Sequence, residues 1–159
     1  MKPATRRVAG FSFFIYSTLM NIRIKKLHPD ARIPSIAHEG DAGCDLFATE
    51  SVTLKPGERG QVPTGLALEL PLGYVCLIWD KSGISHKGGI KTLGGVIDSG
   101  YRGEVQVGVI NLSSEIYVFE KGHKIAQMLI QKIESPTFEE VVELSDTNRG
   151  EGGFGSTGK

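Results

Sequence analysis

The residues of this chain that could do chemistry fall into five short stretches. Gly94 to Glu104 reads Gly-Gly-Val-Ile-Asp-Ser-Gly-Tyr-Arg-Gly-Glu. Its carboxylate, Asp98, follows the apolar pair Val96 and Ile97 and precedes Gly100 and Gly103, which can take backbone angles other residues avoid. The pattern predicts a tight hairpin with an acid at its bend. Val96 and Ile97 mark one strand, and Val105, Val107 and Val109, alternating with Gln106 and Gly108, mark the other, so the shared turn presents Asp98, Ser99 and Tyr101. Asp and Gly are also ordinary turn residues, so this stretch alone assigns no reaction.

In the second stretch, Asp80-Lys81-Ser82-Gly83-Ile84-Ser85, a cation, a hydroxyl and a glycine directly follow a strand. A helical turn starting there offers backbone N–H groups and a positive charge to an anion. Ser82 reads equally as a plain helix N-cap. Asp41-Ala42-Gly43-Cys44-Asp45-Leu46 places two acids around a small-residue pair, and Gly122-His123-Lys124-Ile125-Ala126-Gln127-Met128 sets Gln127 among small and apolar neighbours. That glutamine either faces a site or is satisfied within a sheet. The fifth stretch is the tail, Arg149 to Gly158, with one aromatic, Phe154, in a glycine run that also holds Gly155, Ser156 and Thr157. A stacking face, a planar cation and hydroxyl and amide donors are the parts needed to close over a nucleotide. The Gly-Lys-Ser/Thr ending of a P-loop is missing, and a floppy Gly/Ser terminus has the same composition.

These stretches need a frame to hold them. The 159 residues suffice for one domain with a real core. Eighteen basic and eighteen acidic residues cancel, which gives no support for broad binding to nucleic acid or a membrane surface and points any polyanion to a small local pocket. The 21 glycines are about twice the usual share and cluster beside polar residues, implying close backbone approaches. Cys44 and Cys76 cannot build a disulfide framework, so a reducing, intracellular compartment is expected, the cytoplasm first and the nucleus or an organelle if the N-terminal extension is a targeting segment. From Met20 onward the chain reads as all-β. Ile22, Ile24 and Leu27 alternate with basic residues, Val52 and Leu54 precede a Lys55-Pro56-Gly57-Glu58 turn, Leu66, Leu68 and Leu70 alternate, and Tyr74 to Trp79 is a strand. Short strands so spaced predict a sandwich or barrel, with at most a short helix around Ser82 to Lys87.

Residues 1–19 differ from the rest. The first 29 residues contain no acid, and Val8 to Met20 is mostly apolar but too short to span a bilayer. They read as an extension, disordered or loosely packed, or as a start placed upstream of Met20, with an organelle targeting segment as the alternative.

Taken in order, Ala-Gly-x-Asp-Leu, x-Ser-Gly, Gly-Val-Ile-Asp-x-x-Tyr-Arg-Gly-Glu, Gly-x-x-Ile-Ala-Gln and Arg-Gly-x-Gly-Gly-Phe-Gly-Ser-Thr-Gly resemble the five motifs of the trimeric all-β deoxyuridine triphosphatase family. The resemblance covers Met20 to Gly158. It implies a jelly-roll-like β barrel over residues 20–145, a glycine-rich C-terminal arm over residues 146–159, and a homotrimer with shared active sites over which the arm closes. The implied reaction is hydrolysis of dUTP to dUMP and pyrophosphate, with Mg²⁺ as cofactor. By position, Asp98 is implied to be the base that activates water for attack on the α-phosphorus, and Gln127 to help place that water. Gly95, Val96, Ile97, Asp98 and Tyr101 are implied to read the uracil and the deoxyribose, and Phe154 to stack on the base. Lys81, Ser82, Gly83, Arg149, Gly155, Ser156 and Thr157 would hold the triphosphate, and Asp45 would touch the metal indirectly, through water.

Two departures stand out, since the family usually has Arg at Lys81 and at Lys124, and Asp at His123. Lysine keeps the charge and loses the planar two-point grip. His123 and His86 read as ordinary exposed turn histidines. Two other readings share part of the pattern: a dCTP deaminase of the same superfamily and a non-catalytic nucleotide-binding module. The complete tail and the retention of Asp98, Ser82 and Gln127 fit the triphosphatase better.

Overall fold

The computed structural model describes residues 6–8, 11–13 and 20–153. Near the N-terminus β1 (Arg6–Val8) pairs antiparallel with β2 (Phe11–Phe13). The body is built from β3 (Arg23–Lys26), β4 (Ser35–Ile36), β5 (Cys44–Phe47), β6 (Val52–Leu54), β7 (Arg59–Pro63), β8 (Leu66–Glu69) and β9 (Tyr74–Trp79). The helix α1 (Ser82–Gly88) follows, then β10 (Ile90–Leu93), β11 (Val96–Ile97), β12 (Gln106–Asn111), β13 (Tyr117–Phe119) and β14 (Lys124–Lys132). The predicted all-β class holds, in a jelly-roll-like arrangement with, among the described residues, one short helix where the sequence allows it. Among the described residues no helix is long and apolar enough to cross a membrane.

A five-stranded sheet in the order β11-β9-β14-β5-β4, a three-stranded sheet, β10-β12-β7, and two-stranded ribbons β3-β8 and β13-β6 all contribute buried residues to one cluster. Between them lies one core containing Leu46, Leu54, Val62, Leu66, Phe119 and Ile125, each 2 % exposed or less. The alternation over β12 works as predicted: Val105, Val107 and Val109 are buried and Gln106 looks outward. Side chains of period 2 put one face of a strand in the core and the other in water.

One buried polar residue ties several loops together. Asn111 is fully buried, and its amide donates to the Leu54 carbonyl at 3.0 Å and the Glu115 carbonyl at 2.8 Å. Its Oδ1 accepts from the Ser113 N–H at 2.9 Å and the Ser113 hydroxyl at 2.7 Å. A buried amide is tolerated only when so satisfied.

The predicted hairpin between Val96–Ile97 and the valine-rich strand does not form. Val96 and Ile97 pair with Leu77 and Cys76 of β9, whereas β12 pairs with β10 on one side and β7 on the other. The cause is a backbone kink at Gly94 and Gly95, whose φ angles are +66° and +105°. The kink turns the chain out of β10 and onto the edge of β9, where the Ile78 N–H donates to the Gly95 carbonyl at 2.7 Å. A Cβ on Gly95 would lie 2.7 Å from the Ile78 carbonyl oxygen, so only glycine allows this approach.

Candidate functional site

The middle strand β14 sets one half of the site. Its Gln127 lies opposite Asp45 of β5 on one side and Trp79 of β9 on the other, so Asp45 and Gln127 share a cross-strand row. Lys124 and Gln127 are three apart and would face opposite sides of a regular strand. A register shift between Lys124 and Ala126 brings Lys124 back to the face of Asp45. Both oxygens of the buried Asp45 carboxylate are then taken, Oδ1 by Lys81 Nζ at 2.7 Å and Oδ2 by Lys124 Nζ at 2.6 Å. Burial works against ionisation of Asp45, but the two ammonium groups outweigh it and hold its carboxyl below the usual carboxylate range.

Gln127 is satisfied by a hydrogen bond and also lines a pocket. Its Nε2 donates to the Asp80 carbonyl at 3.0 Å, and a Cβ on Gly43 would meet its Oε1 at 2.6 Å. It lines a polar pocket of about 360 Å³ with Asp41, Gly43, Asp45 and Lys81. Ser82 and Gly83 open α1 beside Lys81. The helix N-cap is Lys81 and not Ser82, and it makes no side-chain capping bond. The Ser82 hydroxyl therefore sits on the first helical residue and exposed.

The other half of the site lies elsewhere on the chain. A second pocket of about 450 Å³ is lined by Val96, Ile97, Asp98, Tyr101, Glu104 and Gln106 among others. Asp98 is exposed and begins a turn closed by the Tyr101 N–H on its carbonyl at 3.0 Å. Tyr101 is held from two directions. Its hydroxyl donates to the Glu104 carbonyl at 3.0 Å, and its ring lies so close over Gly103 that no Cβ would fit there. Glu104 is in turn anchored by the Gly65 N–H, 2.7 Å from its Oε1. Gly95 and Val96 also border a groove beside Trp79 and Thr92.

The predicted site residues thus divide between two pockets, Asp45, Lys81 and Gln127 on one and Val96, Ile97, Asp98 and Tyr101 on the other. Arg149 is exposed, its Nε donating to the Gly152 carbonyl at 2.6 Å. Phe154, Gly155, Ser156 and Thr157 lie outside the described residues. His123 is the expected exposed turn histidine, its Nδ1 accepting from the Glu120 N–H at 3.3 Å. Sequence reasoning assigned no role to Asp80 or Glu104. Both stand inside the quoted stretches, and a carboxylate next to a candidate site residue was the only available signal.

Among the described residues no group of three or more His, Cys, Asp or Glu side chains is placed to hold a metal ion. With both Asp45 oxygens occupied by ammonium groups, Asp45 is not free to ligate an ion directly, so the residues present would leave a hard cation to a substrate's phosphates and to water.

A family model described as dUTPase matches residues 29–158. A deoxyuridine 5'-triphosphate nucleotidohydrolase of Rhodococcus erythropolis is 46% identical over 142 residues, covering 87% of this chain and 87% of the relative. One of Clostridium kluyveri is 49% identical over 141 residues, covering 87% of this chain and 99% of the relative. Among solved structures, a Staphylococcus bacteriophage 80alpha dUTPase with dUPNHPP superposes with a TM-score of 0.80 at 33% identity, over 87% of this chain and 99% of that chain. A mutant dUTPase from phage phi11 of S. aureus, whose structure concerns the coordination of a structural Mg(II) ion, gives a TM-score of 0.75 at 28% identity, over 80% of this chain and all of that chain.

Proposed function

The chain belongs to the dUTPase family and hydrolyses dUTP, and we propose that it does so with Asp98 holding and deprotonating the attacking water, in a site that two or more copies of the chain complete together. The observation that carries the proposal is the division of the site. Asp98 and Tyr101 line one pocket, while Lys81, Asp45 and Gln127 line another, so one chain does not gather the base, the water-placing amide and the phosphate-holding cation around one substrate. Assembly as a homotrimer with shared sites resolves this by setting the Asp98 pocket of one copy against the Lys81 pocket of its neighbour.

The exposed stretch from Gln131 to Glu151 supports the same reading. Phe138, Val142 and Leu144 are 93%, 101% and 87% exposed, apolar surface left without cover on a single chain. We assign residues 146–159 as an arm that closes over a neighbouring copy's site, bringing Arg149 to the triphosphate together with Phe154, Gly155, Ser156 and Thr157.

Within the completed site the exposed Asp98 carboxylate orients a water toward the α-phosphorus and takes its proton as the new P–O bond forms. The bond to the bridging oxygen breaks, and pyrophosphate leaves dUMP. Gln127, its amide nitrogen held by the Asp80 carbonyl, offers Oε1 as an acceptor that places that water. Lys81, Ser82 and Gly83 meet the triphosphate with a cation, a hydroxyl and backbone N–H groups. Mg²⁺, when bound with the substrate, would supply neutralisation of the triphosphate charge, with Asp45 the residue that would meet its hydration shell. Tyr101, fixed by Glu104 and packed over Gly103, presents a rigid wall to the sugar and rejects a 2′-hydroxyl, while Gly95 to Asp98 present backbone groups to uracil.

The test is turnover of dUTP, dCTP, dTTP and UTP by the intact protein and by Asp98→Asn. Pyrophosphate release should be confined to dUTP. D98N should bind dUTP within a few-fold and turn over roughly 100-fold slower, the usual scale for loss of a general base. Near-normal turnover by D98N removes Asp98 from the mechanism, and ammonia release from dCTP would assign a deaminase instead.

A further inference from the structure

Asp80 stands where β9 ends and α1 begins, and it uses every acceptor it has. Its Oδ1 receives the Thr92 N–H at 2.7 Å and the Thr92 hydroxyl at 2.8 Å. Its Oδ2 receives Lys91 Nζ at 2.6 Å, and its backbone carbonyl receives the Gln127 amide at 3.0 Å. The side chain is only 23% exposed. Burial opposes its ionisation, but the lysine and the two threonine donors prevail and keep the carboxyl below the ordinary range, so it is charged at neutral pH.

The partners of this one residue belong to different parts of the site. Lys91 and Thr92 lie on β10, which runs directly into the Gly94–Gly95 kink and so into Asp98. Gln127 lies on β14, the strand paired with β9. Lys81 and Ser82 follow Asp80 in the chain. Lys81 has an independent anchor on Asp45, 2.7 Å away, but the hydrogen bond that orients the Gln127 amide ends on the Asp80 backbone. The β9–β14 ladder brings the two strands together up to Trp79, and beyond it the Asp80 side chain ties the strand end to β10.

We infer that Asp80 is a positioning residue for the reaction: its carboxylate locks the β9–α1 junction to β10, and its carbonyl, held in place by that lock, orients Gln127 toward the water. It touches neither substrate nor reacting atoms. The inference rests on the roles given above to Asp98 and Gln127.

A staple with a merely structural part would lower the melting temperature and leave the kcat of the folded enzyme unchanged. Asp80→Ala, Asp80→Asn and Asp98→Asn are therefore compared for oligomer mass, melting temperature, kcat and KM with dUTP. D80A should lose about tenfold or more in kcat, because misplacing a group by ~1 Å costs up to ~100-fold. Its KM should change much less, since Lys81 keeps Asp45. D80N retains an acceptor for both Thr92 donors but turns an amide NH₂ toward Lys91, so it should recover a clear part of the kcat that D80A loses. A folded D80A with unchanged kcat, or a D80N as impaired as D80A, overturns the inference. Where D80A does not fold, Thr92→Val removes one donor without emptying the junction. A kcat lowered about threefold or more then supports the inference, and an unchanged kcat overturns it. An inactive D98N beside a fully active D80A rejects the role of Asp80 alone, whereas a fully active D98N rejects the mechanism and this inference with it.

Discussion

Gly95→Ala tests whether the glycine kink is what delivers Asp98. Alanine at φ +105° costs about 1–2 kcal/mol in backbone strain. Its Cβ would also sit 2.7 Å from the Ile78 carbonyl oxygen and 3.2 Å from the Ile78 Cβ, distances that force the two strands apart. Moving them weakens the 2.7 Å bond from the Ile78 N–H to the Gly95 carbonyl, a further loss of about 1 kcal/mol. The total is about 2–3 kcal/mol, which for a chain of this size lowers the melting temperature by about 5–10 °C. Gly94→Ala is the control. Its φ is +66° and nothing lies within 4 Å of the added Cβ, so it carries only the strain term of about 1 kcal/mol. The assay is thermal unfolding at one fixed protein concentration, because stability of an oligomer depends on it, followed by kcat at a temperature where both variants are folded. G95A should also lose about tenfold in kcat, since the displaced β11 carries Asp98 with it. If G95A melts no lower than G94A and turns over dUTP normally, the close approach of Gly95 to β9 neither stabilises the fold nor places the acid.

Three further outcomes follow from the same geometry. Asp45 and Asp80 have carboxyls held below their ordinary 3.8, so the stability their ion pairs supply is fully present above that value and is lost as pH falls through the depressed one; melting temperature should be level from neutral pH down to about 5 and drop below about 4, and a profile that falls between pH 7 and 5 would point to other groups. Asn111→Ala removes the side chain that meets two carbonyls and both donors of Ser113, and should cost about 2–4 kcal/mol in denaturant unfolding; a cost below about 1 kcal/mol would mean water replaces the amide. Ending the chain after Asn148 tests the arm proposed above and should leave the oligomer mass in light scattering unchanged and cut kcat severely, because closure of that arm would exclude water and complete the phosphate grip; full activity would remove the arm from catalysis, and loss of the oligomer would make it structural.

Much of this protein is legible in the sequence because much of it is local. The alternation of Val105, Val107 and Val109 predicts a half-buried strand, and that is what forms. The cation, hydroxyl and glycine after Trp79 predict the one short helix of the body. The motifs around Asp45, Lys81, Asp98 and Gln127 could be recognised because a site that lets backbone approach a ligand must place small residues at set offsets from its polar ones. Each of these readings uses only residues within a few positions of one another.

Strand partners are a different kind of fact. Periodicity says which face of a strand is buried and nothing about which strand lies beside it, so Val96–Ile97 read as the mate of the strand that follows, whereas a two-glycine kink sends it to β9. The bulge in β14 is likewise silent in the sequence, yet it brings Lys124 to the face of Asp45. The paired grip of Lys81 and Lys124 on one carboxylate, the bond from Gln127 to the Asp80 carbonyl, and the separation of Asp98 from both depend on β5, β9 and β14 lying side by side although long stretches of chain separate them. Residue types and local spacing decided what the site is made of. Long-range packing decided which of its parts one chain can bring together, because only burial of a shared core selects among the many pairings that short alternating strands allow.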